Sequence, residues 1–279
     1  MTPLFISWNV DPILLNLGPL AIRWYGLMFA IGFLAGYMIV ARMFRHEGAP
    51  EKWLGTLLMY LVICTVVGAR LGHVFFYDWE YYSTHTSEIF KIWEGGLASH
   101  GGAIANFIGL CMFSWCVDKK NPSWTIDKIV APVALTAGLI RLGNLFNSEI
   151  YGVPTDMPWG FIFVRDGQTL PAHPTQIYEA LCYFALFGLL MWMYWRRNAE
   201  ERPWLMTGIF FIWTFGTRFF IEYLKNPQEL WEAEMSLNMG QQLSIPFIAA
   251  GIAMTVYAYI RPRQHWTFPG RFSDEPVKK

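Results

Sequence analysis

The sequence predicts an all-α, polytopic integral membrane protein with about seven transmembrane helices, and three observations carry that expectation. Hydrophobic residues make up 54% of the 279, charged residues only 15%, and the mean hydropathy is +0.29; soluble domains are not composed this way. Seven windows are long and apolar enough to cross the hydrocarbon layer, which takes about 20 residues. The 21 Lys and Arg residues gather on alternate connections between those windows, as they do in multi-pass proteins. They are balanced by 21 acidic residues, so net charge gives no sign of a nucleic-acid partner.

The first window covers residues 18–43. Before it stand Pro3, Asp11 and Pro12 rather than a basic region, a short apolar core and a small-residue cleavage site, so the first helix is expected to be retained. Its RWYG stretch places Arg23 beside Trp24 and Tyr25 at the membrane interface, where a snorkelling cation and an aromatic belt are the simpler explanation. The second window, 53–76, ends in GARLGH, with Arg70 and His73 three residues apart on one helical face among small residues. Close helix packing and function explain that motif equally well.

The third window, 97–117, is entered through GGLASHGG. Glycines at a helix start let backbone N–H groups approach an anion, and His100 has a side chain that exchanges protons near neutral pH. The stretch serves equally as a phosphate cradle, as a base or as a packed turn. The fourth window, 126–146, runs into GLIRLGNLFNSEIYG, where Arg141, Asn144 and Ser148 share one face if the helix continues. An arginine at bilayer depth is costly unless it is paired or wet, so Arg141 is expected to be functional.

The fifth window, 174–195, opens with Pro174 in a first-turn position and carries Gln176, Tyr178 and Glu179. Glu179 can pair with an arginine or orient a base, or it is simply an acid favoured by the helix dipole. The sixth, 205–224, holds Arg218 and Glu222 four residues apart, with Lys225 following on the same face. The seventh is 242–260, followed by a tail over 262–279. The chain thus reads as one membrane-embedded domain over 1–279, with two long connections, 77–96 and 147–173, on the same side. Their Trp79, Tyr81, Tyr82, Trp93, Tyr151 and Trp159 suit a headgroup-level position.

Counting basic residues sets the orientation. The side holding Arg23, Arg70, Lys91, Arg141, Arg165, Arg218 and Lys225 has half as many as the other. The N-terminus is therefore expected outside and the C-terminus in the cytoplasm. Arg70, Arg141 and Arg218 then lie near the outer ends of spans, and two of them on separate spans, Arg141 and Arg218, suit a phosphate through their guanidinium forks. Cys64, Cys111, Cys116 and Cys182 lie inside apolar runs and read as core residues. There is no HExxH, Walker loop, GxSxG or exposed nucleophilic cysteine, and no ligand spacing that argues for a metal. No cofactor is expected, and the nucleophile is expected to come with the substrate.

These residues resemble the prolipoprotein diacylglyceryl transferases of bacterial membranes. That family's signature, Gly-Arg-x-(Gly/Ala)-Asn-Phe-x-Asn-x-Glu-x-x-Gly, is matched by Arg141, Gly143, Asn144, Asn147, Glu149 and Gly152; Ile140 and Leu145 depart at packing positions. Five further stretches agree in the same order: RWYG, GARLGH, GGLASHGG, HPTQIYEA and RFFIE. A tyrosine often precedes the sixth-span arginine in the family, whereas this chain has Thr214, Phe215 and Thr217 there.

The resemblance implies transfer of a diacylglyceryl group from phosphatidylglycerol to the lipobox cysteine thiol of a prolipoprotein signal peptide. The products are a thioether and glycerol-1-phosphate, and the step is the first in bacterial lipoprotein maturation at the inner membrane. It implies catalytic roles for His100, Arg141 and Arg218. Tyr25, Arg70, Asn144, Asn147, Glu149, Gly152, Tyr178, Glu179 and Glu222 would bind or position the substrates, which meet among membrane lipids. A small-solute transporter is the rival class, but it would be expected to show paired repeats and midplane charges.

Overall fold

The computed structural model describes residues 5–18, 20–92, 95–225 and 237–268. Trp93 and the end of the tail, with Arg271, Lys278 and Lys279, lie outside these, as does Pro3. Among the described residues eight α-helices follow in order: α1 Trp24–Glu47, α2 Glu51–Phe76, α3 Trp79–Thr84, α4 Ser99–Phe113, α5 Pro122–Phe146, α6 Thr175–Arg197, α7 Leu205–Ile221 and α8 Met239–Ile260. Six of the spans, α4 counted with its π-helical continuation to Asp118, are long and apolar enough to cross a membrane. α7 has 17 residues and is extended by a 3-10 turn over Glu222–Leu224. The protein is a polytopic helical membrane protein, and each expected window holds a helix.

One boundary is corrected. The first helix starts at Trp24, not at residue 18, because β2 (Ile13–Leu17) and β3 (Leu20–Arg23) pair as an antiparallel hairpin. Gly18 turns it at φ 70°, and Trp24 N–H donates to the Pro12 carbonyl at 3.0 Å. A Gly-Pro pair is turn chemistry, and apolar content alone does not separate a strand from a helix.

The chain divides into two compact units. One comprises Val40–Ile126 and Trp266–Lys279. In it, α2 and α4 cross with backbones nearly touching: a methyl on Gly72 would lie 2.7 Å from the Gly101 Cα, and one on Gly68 would overlap Ala105. This small-residue crossing is the packing use of the GARLGH and GGLASHGG motifs.

The other unit comprises Met1–Ile39 and Asp127–His265. There α7 and α8 meet at Gly208 and Gly251, and α5 meets α6 where Gly138 faces the Phe184 ring. Buried Asp127 caps α7, accepting from the backbone N–H groups of Trp204 (2.7 Å) and Thr207 (2.8 Å). The connection after α5 has a small core of Leu145, Phe161, Phe163 and Ala172, against which Trp8, Tyr151 and Ile177 pack. Its strand β4 (Phe161–Phe163) runs parallel to β1 (Ile6–Trp8). Tyr151 donates to Asp166 and accepts from Gln168, and its phenol is pushed up to about 12, first by burial and then by that hydrogen bond.

Candidate active site

The second unit brings together the charged ends of α5, α6 and α7. Arg141, in the last two turns of α5, sets its Nε 2.8 Å from Oε2 of Glu179 and donates through a terminal nitrogen to Oδ1 of Asn144 at 3.3 Å. Glu179 is near the start of α6, with a side chain only 4% exposed. Its other oxygen accepts from Lys225 Nζ at 2.8 Å. Lys225 in turn stands 3.7 Å from Glu222, and Arg218 approaches the same Glu222 oxygen at 3.9 Å. Tyr183, one turn beyond Glu179, places its hydroxyl within reach of Arg141 and in the field of Arg218.

This chain of ion pairs holds three cations and two carboxylates, and a third carboxylate, Glu149, is joined to Arg141 through Asn144. Unequal grip on the cations matters here. Lys225 is 10% exposed and held between two acids, whereas the Arg218 side chain is 44% exposed and only loosely paired. Arg218 is therefore the cation best able to turn toward a ligand, while Arg141 is fixed along one edge.

Beyond Phe146 the chain leaves the helix. Ser148 and Ile150 take positive φ values of 56° and 60°. Ser148 therefore does not extend the helical face of Arg141 and Asn144, contrary to expectation. The sharp turn folds Glu149 back, so that its Oε1 accepts from the side-chain amides of Asn144 (2.7 Å) and Asn147 (3.2 Å). Gln176 donates to the Glu149 carbonyl at 2.6 Å and Thr175 to the Ile150 carbonyl at 2.9 Å, which ties the turn to the start of α6.

Gly152 is where three segments converge. Its N–H donates to the His173 carbonyl at 2.8 Å, its neighbour Val153 donates to the Leu224 carbonyl, and it bridges to Lys225. A methyl at Gly152 would strike the Leu224 carbonyl and lie 2.8 Å from Thr175 and 2.9 Å from His173. Gly152→Ala is thus expected to push Lys225 away from Glu179, with turnover falling at least about tenfold in a protein that still reaches the membrane. Unchanged kinetics in that variant would show that Lys225 is positioned some other way.

Tyr25 lies beside the same helix end, since a methyl on Gly143 would lie 2.9 Å from its ring. Tyr178 is more committed: its hydroxyl accepts from Trp159 Nε1 at 2.8 Å and lies 3.2 Å from His173 Nδ1. Burial lowers the His173 pKa, and the neutral ring can accept the Tyr178 proton. A histidine with a depressed folded pKa contributes stability above its unfolded value of 6.5 that is lost as pH falls through the folded one. Stability is therefore expected to drop below pH 6.5, and the slope is expected to flatten in His173→Asn; thermal melts from pH 7 to pH 5 check this.

The remaining two expected residues belong to the first unit. Arg70 is 4% exposed and its guanidinium is occupied: Nε donates to the Ile89 carbonyl (2.8 Å), and the terminal nitrogens donate to the carbonyls of Glu88 (2.7 Å), Gly95 (2.8 Å) and Gly96 (3.3 Å). It also stacks over the Tyr82 ring at 4.9 Å. In this arrangement Arg70 fastens the 77–96 connection, and its donors are spent on carbonyls rather than on a phosphate. His100 is exposed in the first turn of α4, edge-on to Phe76 at 5.4 Å and beside Tyr77 at 5.6 Å.

Lys225 and Tyr183 were not among the expected site residues. Lys225 was visible only as a neighbour of Glu222, and Tyr183 only through its four-residue spacing from Glu179. Tyr183 bears on the missing family tyrosine before Arg218. The Thr217 hydroxyl is used within α7, donating to the Trp213 carbonyl at 2.8 Å, and that of Thr214 is buried with no partner among the described residues. A tyrosine hydroxyl reaches this region from α6 instead.

Fold and site together define a polytopic helical membrane protein that concentrates paired charges at one end of its spans. A family model described as prolipoprotein diacylglyceryl transferase matches residues 12–257. The chain is similar to the phosphatidylglycerol–prolipoprotein diacylglyceryl transferases of Porphyromonas gingivalis (47% identical, covering 93% of this chain and 97% of the relative) and Tolumonas auensis (48%, covering 89% and 96%). That of Chloroherpeton thalassium is 44% identical over 91% of this chain and 94% of its own. The chain belongs to the prolipoprotein diacylglyceryl transferase family. Nothing in these comparisons favours a transporter.

Proposed function

We propose that this protein transfers the diacylglyceryl group of phosphatidylglycerol to the lipobox cysteine of prolipoproteins. The observation that supports the proposal beyond family membership is the Arg141, Glu179, Lys225, Glu222, Arg218 cluster, which sets a fixed Arg141 and an exposed, loosely paired Arg218 at the end of membrane helices. In the reaction the cysteine sulfur attacks the glyceryl carbon that carries the phosphate. The C–S bond forms as the C–O bond breaks, and that electron pair leaves on oxygen as glycerol-1-phosphate.

The phosphate goes from one negative charge as a diester toward two as a monoester. Cations held near it therefore interact more strongly in the transition state than with the bound lipid, which is the condition for raising the rate rather than only the affinity. Arg141 and Arg218 are assigned to that phosphate, with Glu179 and Glu222 as positioning residues. Asn144, Asn147 and Glu149 shape the headgroup pocket.

The thiolate is the competent nucleophile, so the thiol proton must leave. His100 is assigned to accept it, directly or through water. His100→Gln is expected to slow thioether formation about 100-fold or more, in line with general-base contributions. Near-normal turnover by that variant would remove the role.

The excess of Lys and Arg on one set of connections supports a multi-pass arrangement in the bacterial inner membrane, with the N-terminus outside, the C-terminus in the cytoplasm and the cluster at the outer leaflet. A bacterial host depleted of its own transferase tests the function. Expression of this chain is expected to restore lipid-modified prolipoproteins. A protein that reaches the membrane and leaves them unmodified would overturn the proposal.

A further inference from the structure

At the opposite end of α6, α7 and α8 from the charged cluster lies a groove of about 700 Å³. Glu179 and Arg196 are both on α6, and at 1.5 Å per residue they are about 25 Å apart along the axis, so groove and cluster face opposite membrane surfaces. Four arginines line the groove: Arg196, Arg197, Arg202 and Arg263. Arg263 is paired with Glu201 at 3.1 Å. Among the described residues no carboxylate pairs with the other three. Arg197 lies over the Trp192 ring at 5.1 Å, and Arg202 lies over the Tyr259 ring at 4.6 Å while donating to the Ala258 carbonyl.

The rest of the lining includes Leu189, Trp192 and Ile209, side chains of membrane-spanning helices. Guanidinium groups beside apolar side chains in one groove match one kind of ligand, an anion with an acyl chain. Soluble anions would have no use for the apolar lining, and a neutral lipid would leave the arginines uncompensated. We propose that the groove holds an anionic phospholipid of the leaflet opposite the charged cluster, with its phosphate among Arg196, Arg197 and Arg202. This lipid is a bound component rather than a reactant.

Native mass spectrometry of the purified, delipidated full chain tests the proposal with phosphatidylserine, phosphatidylethanolamine and inorganic phosphate as separate probes. The wild type is expected to retain phosphatidylserine at least about tenfold more tightly than phosphatidylethanolamine. Arg196→Gln/Arg197→Gln is expected to weaken that binding by about tenfold, the size of one or two charge-assisted contacts. Both positions are exposed, so folding should survive, and Arg165→Gln, at an exposed arginine of the 147–173 connection paired with Asp11, should leave the binding intact. Equal retention of both lipids, the same loss in Arg165→Gln, or displacement by millimolar phosphate would each overturn it. A measurement without variants uses photoreactive phosphatidylserine on the wild type: label is expected on peptides within 189–209 and 257–263, and label only elsewhere contradicts the site.

Discussion

Arg141→Gln is expected to lower the turnover of thioether formation by about 100- to 1000-fold at saturating phosphatidylglycerol, with a much smaller change in KM. The size is that of removing one preorganised donor from a developing oxyanion. The split between kcat and KM follows from the charge the phosphate gains as the C–O bond breaks. On the proposed assignment Arg141 would meet one charge in the bound lipid and nearly two in the transition state. Its fixed edge, with Nε on Glu179 and a terminal nitrogen on Asn144, means that little reorganisation is needed during the reaction. Lysine should not substitute well, because a single ammonium cannot hold Glu179 and Asn144 while also addressing a phosphate. A raised KM with normal kcat would assign Arg141 to lipid binding instead.

The largest effect on stability is expected from Glu179→Ala. The Glu179 carboxylate is the shared partner of Arg141 and Lys225, at 2.8 Å from each, and its side chain is 4% exposed. Removing it leaves two cations facing each other with only the more distant Glu222 between Lys225 and Arg218. Breaking a buried ion pair in this way costs about 3–5 kcal/mol, a large share of the 5–15 kcal/mol that typically separates folded from unfolded protein. The variant is expected to melt well below the wild type or to fail to accumulate. Glu179→Gln keeps the shape without the charge and should fall between the two. Adding Lys225→Met to Glu179→Gln should recover part of the loss, since one of the uncompensated cations is then gone. Equal melting temperatures for wild type and Glu179→Ala would show that the cluster is solvated.

The helices were legible because crossing hydrocarbon demands long apolar windows, and each window holds a helix. Less legible was the approach to α1: residues 13–23 are apolar enough for either helix or strand, and only the pairing of Ile13 with Arg23 decides between them. The polar positions of the site were legible too, because Arg141, Glu179, Arg218 and Glu222 have no reason to lie in or beside apolar windows unless they are paired or used. Their wiring was not. Glu179 and Lys225 are 46 positions apart, and nothing local links them.

Arg70 shows the opposite failing. Near a span end it read equally as helix packing or as function, and only the fold shows its donors meeting the carbonyls of a loop that comes 18 to 26 residues later. Ser148 fell off the expected face because the turn that delivers Glu149 to the two asparagines needs positive φ at Ser148 and Ile150. Spacing rules assume a helix, and they fail at the residue where the helix ends to build a site.

The transfer chemistry itself is tested most directly by mixing the purified protein with phosphatidylglycerol and a lipobox peptide, then following both products by mass. The peptide is expected to gain one diacylglyceryl group for each glycerol-1-phosphate released, and a peptide with serine in place of the cysteine is expected to gain none. An unmodified cysteine peptide, or glycerol-1-phosphate released without peptide modification, would contradict transfer to the thiol.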